Sequence, residues 1–270
     1  METLKIPSEF PWRRNRIAVL EVYGPITSGA RVAQQVRIIH ALREDQRVKG
    51  VVVDVDSPGG SAALSDHLHH AIKSLAGRKP VIAHVRNLGL SGGYLVACAA
   101  QKIVALPTAM VGSIGVIISR PIIKDAMQRL GVQMYVSRMG EHKDMMQPWR
   151  EPTVVEERKL DSLRDEFYQW FIDSVAQSRG LDASKVREMA TGELFTAAKG
   201  VEMGLVDQLG DMDTALDMMT EIARVPRNVT YARPRRPLLE RALSPIGAAV
   251  ANRLVTEIES RLQVRAEYRT

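Results

Sequence analysis

Short apolar runs alternate with stretches of helical periodicity along most of this chain, and this alternation restricts its fold more than any other feature. Ile17–Tyr23, Val51–Asp56 and Pro80–Val85 are apolar at nearly every position, as strands buried on both faces are. Ser28–Arg43 has its apolar residues at helical spacing, and Ser61–Leu75 is predicted to be a second helix. This order predicts an α/β domain with a largely parallel sheet that is covered by helices.

Glycine-rich turns follow the predicted strands. Ser57-Pro-Gly-Gly60 comes directly after one strand, Asn87–Tyr94 after the next, and Gly112-Ser-Ile-Gly-Val116 lies further along the chain. Glycine adopts backbone conformations that other residues avoid, and it lets another backbone approach closely. Because folds of this class place their sites at the carboxyl ends of strands, we expect the functional site at these turns.

The turn around Ser91 allows two interpretations. A serine that is followed by two glycines at a strand-to-helix junction can be a nucleophile whose hydroxyl is held clear of the backbone. The free N–H groups at the start of the helix would then suit a developing oxyanion. Alternatively, Ser91 is an ordinary N-cap of a core helix. The residues of the turn leave both interpretations open.

A nucleophilic serine needs a base, and the sequence offers lysines more readily than histidines. No histidine lies between Ser91 and His142, and His84 falls within the preceding predicted strand. Burial and nearby cations can lower the pKa of a lysine toward neutrality. Lys102, Lys124 and Lys143 are the candidates. Lys143 follows a predicted strand, Val132–Val136, and should lie on the site side of the sheet, although an ordinary solvated lysine fits its neighbours equally well.

Composition narrows the function classes. The net charge is +6, but no basic stripe spaced by aromatics and no zinc pattern predicts nucleic-acid binding. One cysteine, Cys98, excludes an intrachain disulfide and any multi-cysteine metal site. No metal or organic cofactor is expected. No signal peptide or transmembrane helix is recognisable in the chain, so we expect a cytoplasmic or peripheral membrane protein.

The chain divides into three predicted parts. Residues 1–16 form a polar N-terminal tail, residues 17–232 the α/β domain, and residues 233–270 a helical extension that follows Pro234-Arg-Arg-Pro237. The extension carries an apolar stripe with arginines beside it. It is predicted to contact another subunit, its own domain or, alternatively, a membrane surface.

The glycine-rich turns, taken in order, resemble those of a known family. The signal peptide peptidase A (protease IV) family of serine peptidases, whose fold is shared with Clp protease and crotonase, has similar segments at similar spacing. They are Ser57-Pro-Gly-Gly60, Ser91-Gly-Gly-Tyr94, Gly112-Ser-Ile-Gly-Val116 and Gly140-Glu-His-Lys-Asp144, with Gly200–Gly210 as a later helix and turn. The resemblance covers roughly residues 17–224 and implies that fold, with repeated ββα units.

The resemblance also implies a role for each site residue. Ser91 would be the nucleophile and Lys143 the general base of a Ser/Lys dyad. Ser113 would orient the lysine, and the backbone N–H groups of Gly60 and Gly92 would form the oxyanion hole. The implied substrates are hydrophobic peptides, such as remnant signal peptides. The implied assembly is a homo-oligomer in which adjacent subunits can share one site.

Two other functions share the implied fold. A crotonase-like acyl-CoA enzyme would use the same pair of N–H groups without Ser91 or Lys143, but the usual glutamate bases have no obvious counterpart at the Gly92 or Gly115 turns. A non-catalytic scaffold would need none of these residues. Labelling by a serine-directed probe separates both from a peptidase.

Overall fold

Three long parallel strands form the centre of the sheet in this computed structural model, which describes residues 15–232. They are β1 (Arg16–Tyr23), β2 (Val48–Ser57) and β3 (Val81–Leu90). Val52 of β2 lies between Val19 of β1 and Ile82 of β3. All three strands are apolar because helices cover both of their faces, as the alternating pattern predicts.

Five short strands complete the sheet within the described residues. They are β4 (Lys102–Ala105), β5 (Met110–Gly112), β6 (Leu194–Thr196), β7 (Gln208–Leu209) and β8 (Val229–Tyr231). The order along the main path is β6-β5-β3-β2-β1-β8, and β4 lies beside β3 and β7. Every pairing is parallel except that of β5 with β6. The sheet is therefore mixed but largely parallel, which confirms the predicted fold class.

β3 is longer than the sequence predicts, and it pairs with two strands in succession. Its first half lies beside β4 and its last three residues, Leu88 to Leu90, lie beside β5. The strand therefore continues up to the residue before Ser91. This arrangement brings the end of β3 next to the end of β5, where Gly112 and Ser113 begin the following turn.

The helices divide between the two faces of the sheet. They are α1 (Gly29–Glu44), α2 (Ala62–Ala76), α3 (Gly92–Cys98), α4 (Lys124–Arg129), α5 (Val154–Arg179), α6 (Ala183–Met189), α7 (Ala197–Met203) and α8 (Met212–Ala223). The larger apolar cluster includes the inner faces of α1, α2, α3 and α5, and a smaller one packs α8 against the other face. Each fully buried Leu- or Ile-sized side chain in these clusters contributes about 1.5–3 kcal/mol.

The predicted strand Val132–Val136 is wrong, since these residues have no regular secondary structure. Residues 116–139 expose several large apolar side chains, among them Ile117 (88% exposed), Tyr135 (93%) and Met139 (94%). A strand needs a neighbouring strand to satisfy its backbone N–H and C=O groups, and no strand of the described chain pairs with this segment. Its apolar pattern therefore produces an exposed segment rather than a sheet strand.

Parts of the prediction lie outside the described residues. These are the tail up to residue 14 and the whole helical extension 233–270, so the predicted division into three parts stays a prediction. Within residues 15–232, no helix has both the length and the apolar composition needed to cross a bilayer.

Candidate active site

Ser91 lies at the junction of β3 and α3 in a strained backbone conformation. Its φ is 50° and its ψ is −122°, a region that non-glycine residues rarely adopt and that costs about 1–3 kcal/mol. Its N–H donates to the Gly112 carbonyl over 2.9 Å, and its own carbonyl accepts from Leu95 N over 3.0 Å. The side chain makes no capping hydrogen bond to α3, so the N-cap interpretation of its hydroxyl is wrong.

Gly60 and Gly92 bring two backbone N–H groups close to Ser91. A Cβ added to Gly92 would lie 3.5 Å from Gly60 N, so the two glycines meet at one corner of the turn. The backbone groups on either side of Gly60 are paired with Ile26. The Ile26 N–H donates to the Gly59 carbonyl, and the Ile26 carbonyl accepts from Ser61 N. Within the described chain, the N–H groups of Gly60 and Gly92 have no acceptor. They are available to a ligand oxygen, as an oxyanion hole requires.

Both positions exclude larger residues. Gly60 has a φ of 155°, and an added Cβ would lie 2.4 Å from the Ile26 carbonyl oxygen. At Gly92 the added Cβ would lie 2.1 Å from Ser65 Oγ. Real Cβ atoms do not approach so closely. The glycines predicted from the sequence are therefore required by the close packing of these backbones as well as by any chemistry.

A single cavity of about 790 Å³ contains four of the five predicted site residues, namely Gly60, Ser91, Gly92 and Ser113. Its remaining wall is largely apolar, with Leu95, Val116, Phe167 and Trp170 among the lining residues. The half-buried Ser113 has the same unusual φ of 50° as Ser91, and its N–H donates to the Glu193 carbonyl. The arrangement can hold an apolar chain with a carbonyl group against Ser91.

Lys143, the fifth predicted residue, lies elsewhere. It is exposed in a turn between the irregular segment 131–138 and α5, and it does not line the cavity of Ser91. The predicted strand Val132–Val136, which would bring it to the edge of the sheet, does not form. In one copy of the chain, the serine and the lysine are therefore not brought together.

The residue after Lys143 belongs to a dense cluster of charges. Arg150 donates to both oxygens of Asp144, from Nε and Nη2, over 2.9 Å each. It also donates to both oxygens of Glu156, over 2.8 and 2.6 Å. Arg138 forms a further ion pair with Asp144. We call Asp144, Arg150 and Glu156 the Arg150 clamp.

The clamp keeps its two carboxyl groups ionised. The hydrogen bonds from Arg150, and then those from Arg138, hold the pKa of Asp144 well below its usual range. Those from Arg150, and then that from the Thr153 backbone, lower the pKa of Glu156 to about 2. Glu156 and Thr153 also form a capping box at the start of α5. The sequence patterns assign no role to Asp144, Arg150 or Glu156, although Thr153 and Glu156 have the spacing of a capping box.

His84, the histidine nearest in sequence to Ser91, is part of another buried network. Its Nδ1 lies 2.8 Å from Asp54 Oδ1, and Asp54 also accepts from Tyr23 and Arg86. Burial opposes the ionisation of Asp54, but these hydrogen bonds outweigh it and lower its pKa. None of these residues lines the cavity of Ser91, so His84 is not placed to act as its base.

Two further observations concern metals and the single cysteine. The described residues contain no group of three or more His, Cys, Asp or Glu side chains that could hold a metal ion.

Cys98 is buried in α3, and burial raises the pKa of its thiol to about 12. A thiol in that state is unreactive, so Cys98 has a packing role.

Comparison with known proteins identifies the family. The family model described as Peptidase family S49 matches residues 73–226, a range that contains Ser91, Ser113 and Lys143. The chain belongs to peptidase family S49. This confirms the resemblance to the signal peptide peptidase A family, and it identifies the chain as a serine peptidase rather than a crotonase-like enzyme.

Relatives of this S49 peptidase support the same assignment. The chain is 34% identical over 212 residues to an inferred protease of Synechocystis sp., covering 78% of this chain and 75% of that protein. It is 32% identical over 252 residues to the chloroplastic serine protease SPPA of Arabidopsis thaliana, covering 88% of this chain and 37% of that protein. The chain thus spans little more than a third of the length of the chloroplast protein.

A solved structure shares the fold. A mutant of a membrane-bound stomatin-specific protease superposes with a TM-score of 0.54 at 19% identity, covering 82% of this chain and 99% of that one. At this identity the likeness concerns the fold alone.

Proposed function

We propose that this S49 peptidase is an endopeptidase that hydrolyses hydrophobic peptides with a Ser/Lys dyad, Ser91 as nucleophile and Lys143 as general base. One observation carries the proposal. Ser91 has a strained backbone and a hydroxyl that caps nothing, beside two N–H groups that have no acceptor in the described chain, at the wall of an apolar cavity. A strained backbone conformation persists only where the surrounding structure enforces it, and such conformations cluster at active sites.

Each residue has a defined part in the proposed reaction. Neutral Lys143 takes the proton of the Ser91 hydroxyl as the oxygen attacks the peptide carbonyl, and the developing oxyanion accepts from the Gly60 and Gly92 N–H groups. The ammonium then gives the proton to the leaving amine as the C–N bond breaks. Lys143 then takes a proton from water as the water attacks the acyl ester, and its ammonium returns that proton to the Ser91 oxygen as the ester C–O bond breaks. Ser113 accepts a hydrogen bond from the lysine and orients it.

The substrate class is proposed from the cavity. Phe167 and Trp170 from α5 and Leu95 from α3 face the space beside Ser91, and the apolar wall would take up an apolar side chain next to the cleaved bond. Small or apolar residues at that position, as in the remnants of signal peptides, fit such a wall.

We also infer that the lysine reaches Ser91 from a second copy of this chain. Lys143 is exposed and outside the cavity of its own chain, and the segment before it exposes apolar side chains such as Tyr135 and Met139. Exposed apolar surface of this extent is typical of protein interfaces. A homo-oligomer that covers the segment would bring Lys143 to the cavity of a neighbour.

The test is the hydrolysis of a fluorogenic hydrophobic peptide by the wild type and by the Ser91→Ala and Lys143→Ala variants. We expect each variant to lose at least ~10³-fold in kcat, as removal of a nucleophile or its base does. Only the wild type should be labelled rapidly by a fluorophosphonate. A Lys143→Ala variant with near-normal activity would mean that the base is another residue, and an inert wild type would end the proposal.

A further inference from the structure

The turn that carries Lys143 has little support from its own backbone. Its hydrogen bonds are long for N–H···O contacts, at 3.3 Å from Lys143 N to the Gly140 carbonyl and 3.2 Å from Met145 N to the His142 carbonyl. The neighbouring Gly140 has a φ of 97° and open space around it. Such a turn does not by itself hold a side chain in one position.

The Arg150 clamp supplies the missing support. Asp144 is only 7% exposed and Glu156 only 2%, although much of the surrounding segment is exposed. Arg150 binds each of them through two hydrogen bonds, and paired contacts of this kind fix orientation as well as distance. Glu156 lies in the first turn of α5, so the clamp connects the residue after Lys143 to the long helix.

The two neighbours Asp144 and Lys143 differ in their exposure to solvent. Asp144 turns its carboxylate inward to Arg150, whereas its neighbour Lys143 is exposed. The other side of the turn is held as well, because Arg120 donates to the carbonyls of Met145 and Gln147. An exposed lysine on a turn that is held on both sides is suited to act on another chain.

We propose that Arg150 is a positioning residue for the general base, holding the Lys143 turn against the start of α5 through Asp144 and Glu156. This inference rests on the proposed role of Lys143. A misplacement of about 1 Å at a reacting group can lower a rate about 10²-fold, and the lysine side chain is long and flexible. Arg150 itself touches no substrate in this proposal, so its removal should lower kcat and leave the apolar cavity unchanged.

The experiment compares three arginine variants with the wild type and with Lys143→Ala. Arg150→Gly removes the clamp, and Arg150→Lys keeps the charge but cannot bind two carboxylates in the same paired manner. Arg227→Gly is the matched control, because Arg227 also pairs with two carboxylates, those of Asp213 and Asp217 on α8. For each, kcat, KM and the thermal unfolding midpoint are measured on a fluorogenic hydrophobic peptide.

We expect Arg150→Gly to lose about 10²-fold in kcat with KM within about threefold of the wild type. Guanidinium ion, added far below denaturing concentrations, should restore part of the kcat of Arg150→Gly and none of that of Lys143→Ala. Arg150→Lys should be similarly slow while retaining more of the thermal stability. Arg227→Gly should keep the wild-type kcat.

Three outcomes would overturn the inference. They are a near-normal kcat for Arg150→Gly, a loss that appears mainly in KM, and a loss that Arg227→Gly reproduces. Failure of the proposed function is distinct, since it would show as an active Lys143→Ala variant. If Lys143→Ala is inactive and Arg150→Gly is active, only the positioning role is wrong.

Discussion

The N–H of Ser91 donates to the carbonyl of Gly112 over 2.9 Å, which joins the turn after β3 to the last residue of β5. The bond continues the parallel pairing of these strands by one residue beyond the end of β3. Ser91 supplies the donor of this bond, and Ser113 is the residue after its acceptor. Each serine has a φ of 50°. The backbones of Ser91, the proposed nucleophile, and Ser113 are therefore joined by the ladder between β3 and β5.

The strain at Ser91 predicts that an inactive variant will be more stable than the wild type. Glycine adopts a φ of 50° and a ψ of −122° without steric penalty, because it has no Cβ. We expect Ser91→Gly to raise the free energy of unfolding by about 1 kcal/mol, after the greater entropy of the unfolded glycine chain is subtracted. Chemical denaturation with Ser91→Ala as the control measures this. An equal or lower stability of Ser91→Gly would mean that the turn is not strained.

Close packing at Gly60 predicts a large effect of one methyl group. Gly60→Ala would place a Cβ 2.4 Å from the Ile26 carbonyl oxygen, whereas Gly131→Ala, also at a positive φ, meets nothing within 4 Å. We expect Gly60→Ala to lower the free energy of unfolding by more than about 2 kcal/mol and to abolish activity. Gly131→Ala should lower the free energy of unfolding by only about 1 kcal/mol. Similar losses in the two variants would contradict this close packing at Gly60.

A shared site predicts that two inactive variants will restore one another. Mixing Ser91→Ala with Lys143→Ala, under conditions that exchange subunits, should yield peptidase activity that neither variant has alone. Ser113 lines the same cavity as Ser91, so Ser113→Ala mixed with Ser91→Ala should remain as slow as Ser113→Ala alone. Absence of recovery in the first mixture, with exchange verified by mass, would place the base in the same chain as the serine.

The Arg150 clamp predicts a loss of stability in acid. The pKa of Glu156 is lowered to about 2, against about 4.3 in an unfolded chain, so its stabilising effect is present above about pH 4 and is lost as the pH falls toward 2. Asp144, whose pKa is also lowered, acts in the same direction. We expect Glu156→Gln to be less stable at pH 7 and to lose less on acidification than the wild type.

Denaturation at several pH values between 2 and 7 measures the acid effect. Glu157→Gln, at the exposed neighbouring position, is the matched control and should follow the wild type. If Glu156→Gln and the wild type lose stability in parallel, the acid sensitivity comes from other carboxylates.

The amino-acid sequence by itself determines the central strands and the helices beside them. It also determines the glycine-rich turns that contain Gly60, Ser91, Gly92 and Ser113. Apolar runs, helical spacing and glycine-rich turns are local patterns, and the backbone conformations that Gly60 and Gly92 need are visible in the choice of residue. The sequence also places Ser91 after a predicted strand, whereas the short strand β5 that ends before Ser113 is seen only in the structure. It leaves open whether Ser91 caps a helix or serves as a nucleophile.

Only the tertiary structure decides the rest. The pairing of β3 with both β4 and β5 depends on strands that are distant in sequence, and it is what places Ser113 beside Ser91. Residues 132–136 have the composition of a strand but no neighbouring strand in the described chain, so Lys143 lies away from the sheet. Arg150 joins Asp144 to Glu156 through side chains that no local pattern pairs. Periodicity specifies which residues can form a strand or helix, whereas hydrogen-bond partners are specified by the folded chain as a whole.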